Sequence, residues 1–262
     1  MLNSKSLRVF GWLLYRDIRT IQHDLWNNLI DALIVPSTII VINGYVLPYL
    51  GLPISYGSFM VASSVIMMLY MATNWQGGNQ LAMDLDGEKS ISYELTLPLP
   101  SWMVFCKIAI ANACKAAVKN ALTLPMGILL LWNRFDVAQL SVSKVLLFYL
   151  LSSLFLGFFA LVPVCFVKGM PGFVRYQWRI GSQLVFYSGF QFPLTTLYAA
   201  VPILAYVSYF NPLLYCFEGM HAAVLGQEGY LNFWLCVAVL LFCMLFFGFL
   251  ITKRLKIKLD CM

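Results

Sequence analysis

Apolar runs of about twenty residues, separated by short polar or proline-rich punctuation, recur from Asn28 to the C-terminal tail. A helix needs roughly 20 apolar residues to cross ~30 Å of hydrocarbon, and this pattern predicts six spans. They run over about 28–50, 56–75, 101–132, 144–167, 180 onward to the prolines at Pro193 and Pro202, and 233–251. The third is longer than a bilayer needs, which implies tilt or protrusion. KGMPGFVRYQWR, between the fourth and fifth, reads as a basic loop broken by Gly and Pro.

The first 26 residues follow a different rule. At about 100° per residue, Lys5, Arg8, Arg16, Arg19 and His23 share one sector, and Leu7, Phe10, Leu14, Ile18, Ile21 and Leu25 lie opposite. Segment 1–26 is expected to be an amphipathic helix on an anionic leaflet; packing on a protein core would give the same pattern. With charges throughout and no small-residue cleavage site, it does not read as a signal peptide.

Composition agrees. Only 11% of the 262 residues are charged and mean hydropathy is +0.80, where a soluble domain carries about a quarter charged residues. The net charge of +6 does not point to nucleic acid, because the charges gather at the ends of apolar runs. With a cytoplasmic N-terminus, six spans place every one of the 17 basic residues inside except Arg134 and Lys144, which fall outside, and Lys115 and Lys119, which fall within the third span. Both termini are therefore expected in the cytoplasm. The seven cysteines form no C-x-x-C and mostly sit in apolar runs, so neither a metal site nor a disulfide framework is expected.

Lys115 and Lys119 lie four apart, on one helical face, at a depth where a charge is costly. Either they line the inner mouth of a pathway and attract an anionic headgroup, or they snorkel to the interface. Pro193, Asn211 and Pro212 break the segment 188–228, which reads as a broken or re-entrant element at the outer side, tolerated only where protein or water satisfies the backbone. Glu218 and His221, three apart, read as a hydrogen-bonding pair rather than a catalytic one, since no nucleophile or metal-ligand set accompanies them.

Two segments carry a resemblance. DGEKSISYELTLPLPSWMVFCK, with Glu88, Glu94, Leu95, Leu97, Pro98 and Lys107, resembles the cytoplasmic segment of ABC-2 type exporter permeases. FNPLLYCFEGMHAAVLG is similar to that family's element before the last span, matching at Asn211, Pro212, Leu213, Tyr215 and Glu218; His221 replaces the usual Arg. The resemblance implies one permease domain over 1–262: an all-α integral membrane protein with six transmembrane helices, an interfacial helix first and a broken outer-gate element before the last span. It implies a bacterial inner-membrane location, a second permease copy, membrane lipids around it, and a separate ATPase subunit that supplies ATP and Mg. This chain is expected to be non-catalytic and to need no cofactor: GEKS at Gly87–Ser90 lacks the rest of a phosphate-cradling loop.

In that reading the segment 78–100 couples to the ATPase, with Asp84, Asp86, Glu88 and Glu94 as an acidic docking patch; a merely solvated loop is the plain alternative. Lys115 and Lys119 belong to the substrate pathway, and Pro193, Asn211, Pro212, Tyr215, Glu218 and His221 to the outer gate. The substrate would be lipidic, a glycolipid or polysaccharide, or amphipathic. A membrane-embedded lipid-modifying enzyme and an ion-coupled carrier are the rival readings.

Overall fold

The computed structural model describes residues 4–20, 25–84, 100–167 and 169–260. Among them there is helix and turn but no strand. Helix α1 is Ser4–Arg19. Helix α2 covers 25–49, passing through a π-helical stretch at Ile42–Val46. Helix α3 is Ser55–Met83, with a π-helical stretch at Met71–Gly77. Next come α4 (Ser101–Asn120), α5 (Thr123–Leu130), α6 (Val142–Phe166) and α7, which covers 169–186 through a third π-helical stretch, Gln177–Gly181. Three short helices follow, α8 (Leu194–Ala200), α9 (Pro202–Ser208) and α10 (Pro212–Val224), and α11 (Phe233–Asp260) ends the chain.

Among the described residues three helices, α3, α6 and α11, are long and apolar enough to cross a membrane. They match the expected second, fourth and sixth spans. The first is represented by the shorter apolar stretch Leu33–Tyr49, within which Pro36 and Pro48 each leave a carbonyl four residues back without its usual donor. For Pro48 that carbonyl is Gly44, and the Arg134 guanidinium donates to it at 2.6 Å. The expected third span does not continue unbroken to 132. It stops at Asn120 and resumes at Thr123, because the Pro125 ring clashes with the carbonyl of Ala121.

The basic stretch from Gly169 is helical, not a loop. Pro171 stands in the first turn of α7, where a missing N–H costs nothing. The expected fifth span therefore starts earlier than 180 and stops at Phe186, well before Pro193. Acidic segment 78–100 likewise begins as helix, since α3 continues through Gly78–Met83.

Helix α3 is the axis of the bundle. Its membrane-length window is 78% buried, against 17% for α11, and it packs on α2, α4, α5, α6 and α10. Helix α11 instead leaves Trp234, Phe242, Leu245 and Phe249 largely exposed, an apolar surface suited to lipid rather than water.

Helices α4 and α6 pack closely along their length. The Tyr149 and Ser153 hydroxyls donate to the carbonyls of Ala117 and Ala113 at 2.6 and 2.7 Å. One turn further, Gly157 lies so near Ala109 that a Cβ would run into its carbonyl oxygen. Small residues allow this approach, and the approach makes the interhelical hydrogen bonds. Gly157→Ala should lower stability by about 1–3 kcal/mol through forced separation of the helices. Thermal unfolding in detergent checks this, with Gly11→Ala as the control: there the added methyl meets open space and the higher helix propensity of Ala should leave stability equal or raised by up to about 1 kcal/mol.

Candidate functional site

Two polar regions lie at opposite ends of the bundle. The first is built where α1 docks. Val9, Phe10 and Leu13 pack on Met103, Val104 and Ile108 at the start of α4, so the flank of α1 next to its apolar face is spent on protein. Trp12 and Tyr15, edge to face at 6.1 Å, stay exposed with Arg8 and Arg19. One turn on, Asp17 reaches Lys107 at 2.8 Å and Arg16 at 2.9 Å. The Lys107 side chain is only 5% exposed, so a nearby carboxylate offsets part of the cost of burying its charge. Half-burial pushes the Asp17 carboxyl up, but the hydrogen bonds and charges of Lys107 and Arg16 outweigh it and hold its pKa below the usual value.

Beside this pair is a cavity of about 190 Å³ between α1, the end of α3 and α4. Gln80 and Asp84 form one wall; Lys107, Asn112 and Lys115 form the other. Two residues assigned on sequence to different roles, Asp84 and Lys115, thus line one space. Lys119 lies a turn deeper and donates to Gln76 at 3.3 Å. Asp86, Glu88 and Glu94 fall outside the described residues. The same end gathers Leu81, Phe105, Leu161, Phe173 and Ile251 into one apolar cluster, so the ends of α3, α6 and α11 and the starts of α4 and α7 meet here.

The second region is the segment between α7 and α11. The chain leaves α7 through a turn in which Gly189 has φ +82°, a conformation suited to glycine. Pro193 then caps α8, Pro202 starts α9, and Asn211 caps α10, accepting from the Leu213 N–H at 3.0 Å and donating to the Leu184 carbonyl at 2.6 Å. Each break has a proline where the missing N–H does no harm. Tyr215 donates to the Tyr209 carbonyl at 3.0 Å.

Glu218 ties these pieces together. Fully buried, it accepts from the Leu194 N–H at 3.2 Å and from the Leu231 N–H at 3.1 Å, joining the starts of α8 and α11 to α10. It does not pair with His221, as the sequence suggested. His221 shares a 2.8 Å hydrogen bond with Ser63 of α3 and stacks on Phe59 at 4.3 Å. Sequence reasoning missed these partners because Glu218 meets backbone groups and His221 a serine 158 positions away. Next to them is a cavity of about 770 Å³ with Tyr56, Phe59, Arg134, Asp136, Glu228 and Tyr230 on its walls. No group of three or more His, Cys, Asp or Glu among the described residues could hold a metal ion.

Two predictions follow from these contacts. Glu218→Gln keeps the shape but leaves one N–H facing an amide NH₂ group, which should cost about 1–3 kcal/mol and speed proteolysis in 225–232. Asp17 has a folded pKa below its unfolded value, so its stabilising contribution is complete above about pH 4 and is lost as pH falls through the lowered folded value. Acidification should release α1 from α4, as read by Trp12 fluorescence. Asp17→Asn, which removes the carboxylate from between Arg16 and Lys107, should lower stability by about 1–3 kcal/mol at neutral pH and flatten that acid transition. No family model, characterised protein or solved structure matches this chain.

Proposed function

We propose that the chain is the membrane-spanning, non-catalytic subunit of an ATP-driven ABC-2 type exporter. It would act as a dimer of two copies in a bacterial inner membrane, with ATP hydrolysed by a separate subunit. The cargo class is a lipid, a glycolipid or polysaccharide, or another amphipathic molecule. The observation that carries this reading is the length and position of α3. Its 29 residues extend about 44 Å at 1.5 Å each, beyond the ~30 Å of hydrocarbon. The excess emerges beside α1 and leads directly into the acidic segment that follows Asp84. Force applied to that segment by a partner would enter the most buried of the three membrane-length helices.

The contacts at the two ends favour six passes. The basic end holds Asp17 and Lys107, the tail of α3 and the Phe173 cluster. The other end holds Arg134 against Gly44, Tyr56 donating to the Gln191 carbonyl at 2.8 Å, and Lys144 over the Phe233 ring. The second to sixth expected spans each contribute residues near both sets, and the first reaches the far set through Gly44. The proline-broken helices before α11 then fall at the outer end, where a gate belongs.

The test is co-purification from the native membrane in mild detergent, followed by mass spectrometry. The expected result is a stoichiometric ATPase that is lost when Asp86, Glu88 and Glu94 are reversed to Lys. A complex-preserving preparation with no ATPase would overturn the reading in favour of a lipid-modifying enzyme or an ion-coupled carrier.

A further inference from the structure

The apolar outer surface has a concave stretch where α4, α6 and α11 meet. Trp102 and Cys106, one turn apart on α4, and Phe158 of α6 line one side of a groove of about 390 Å³. On the other side Met244, Leu245, Gly248, Phe249 and Thr252 recur every three or four residues and so share one face of α11. Gly248 leaves the gap: the nearest group to a Cβ placed there is the Phe158 ring, at 3.8 Å. Thr252 turns its hydroxyl back to the Gly248 carbonyl at 2.8 Å and brings no unsatisfied donor to the groove. From Met244 to Thr252 the groove runs about 12 Å at 1.5 Å per residue, close to half of a ~30 Å hydrocarbon layer. That is the depth of one leaflet, and Ile251 of α11 places it at the basic end.

Two cations stand where the groove ends. The Lys253 ammonium lies over the ring of Phe249, itself a groove residue, and the Arg254 guanidinium over Phe166 at the end of α6, each at 5.5 Å. Both are exposed, and neither makes an ion pair among the described residues. The ring contacts hold them beside the groove while their N–H groups stay accessible.

We infer that the groove holds an acyl chain of an anionic phospholipid whose phosphate lies against Lys253 and Arg254. Water finds no hydrogen-bond partners in an apolar furrow, whereas an acyl tail fills it with dispersion contacts. Charge complementarity selects the headgroup. A zwitterionic lipid brings its own ammonium group to the two cations; an anionic one brings net negative charge, which is worth roughly fivefold in binding per Lys or Arg near the surface. Trp102, in the first turn of α4, stands at the level where aromatic side chains meet headgroups.

This inference rests on the membrane reading and not on the ATPase pairing, so the test uses the full chain alone. Detergent-solubilised protein is titrated with phosphatidylglycerol or with phosphatidylcholine of the same acyl chains, and bound lipid is counted by native mass spectrometry. Wild type should retain one phosphatidylglycerol per chain, roughly tenfold to thirtyfold more tightly than phosphatidylcholine. The double variant Lys253→Gln, Arg254→Gln should abolish that preference, and Lys144→Gln at the far end should leave it unchanged. Gly248→Leu puts a branched side chain into the groove and should weaken both lipids alike. Phosphatidylglycerol brominated on its acyl chain should quench the emission that wild type has and Trp102→Phe lacks. Equal retention of the two lipids by wild type, or undiminished retention by a Gly248→Leu chain that melts normally, would overturn the inference. Loss of a dimer in Gly248→Leu with lipid still bound would assign the groove to a second copy and overturn it too. If Gly248→Leu melts early, absence of the Trp102 quenching overturns it. Recovery of the chain in the soluble fraction after carbonate extraction would sink the membrane reading beneath it.

Discussion

Five of the polar side chains inside this bundle find a partner in another helix, and these bonds set how the helices sit against one another. Lipid offers no hydrogen bonds, so an unsatisfied donor costs several kcal/mol on the order set by apolar transfer. Tyr149 and Ser153 use carbonyls of α4, and Asn120 reaches back to the Met68 carbonyl of α3 at 3.4 Å. Gln177 donates to the Asn74 carbonyl at 3.1 Å, and Ser63 meets His221. Each bond fixes the rotation of one helix against its neighbour, which apolar contacts with lipid-like side chains do poorly.

The irregular backbone obeys the same rule. Two of the three π-helical stretches face each other: Tyr70 donates to Gln177 at 3.4 Å, Trp75 meets Trp178 edge to face at 5.7 Å, and the Gln177 amide caps Asn74. A π-helical turn leaves backbone groups out of register, and here the facing helix takes them up. Both stretches lie on the side from which α3 emerges toward Asp84. A joint of paired side chains can bend without exposing backbone to lipid, which a regular helix in the same place could not do.

Much of this was legible in the sequence, for identifiable reasons. Bilayer-length apolar runs gave α3, α6 and α11, and the charge sector gave α1 its helix. Proline spacing located the breaks at Pro193, Pro202 and Pro212. What failed was local polarity read as loop. Gly169, Pro171 and Gly172 suggested a break, yet a proline in a first turn is compatible with helix, and Phe173 is anchored in the core. Pairings were harder still. Asp17 and Lys107 are 90 positions apart, and nothing in either neighbourhood identifies the other. Glu218 matched a family pattern, but its partners are two backbone N–H groups, which carry no sequence signal.

The two ends of the bundle are held by different chemistry, and this separates their responses. At the basic end the fixing interaction joins two side chains, Asp17 and Lys107, each of which can be neutralised or displaced by a competing ion. Its strength depends on pH. At the opposite end Glu218, Asn211 and Gln227 accept from backbone N–H groups of Leu194, Leu231, Leu213 and Phe233. Those donors cannot titrate or move without moving the chain. The two ends are joined through α3, which the His221–Ser63 contact links to α10.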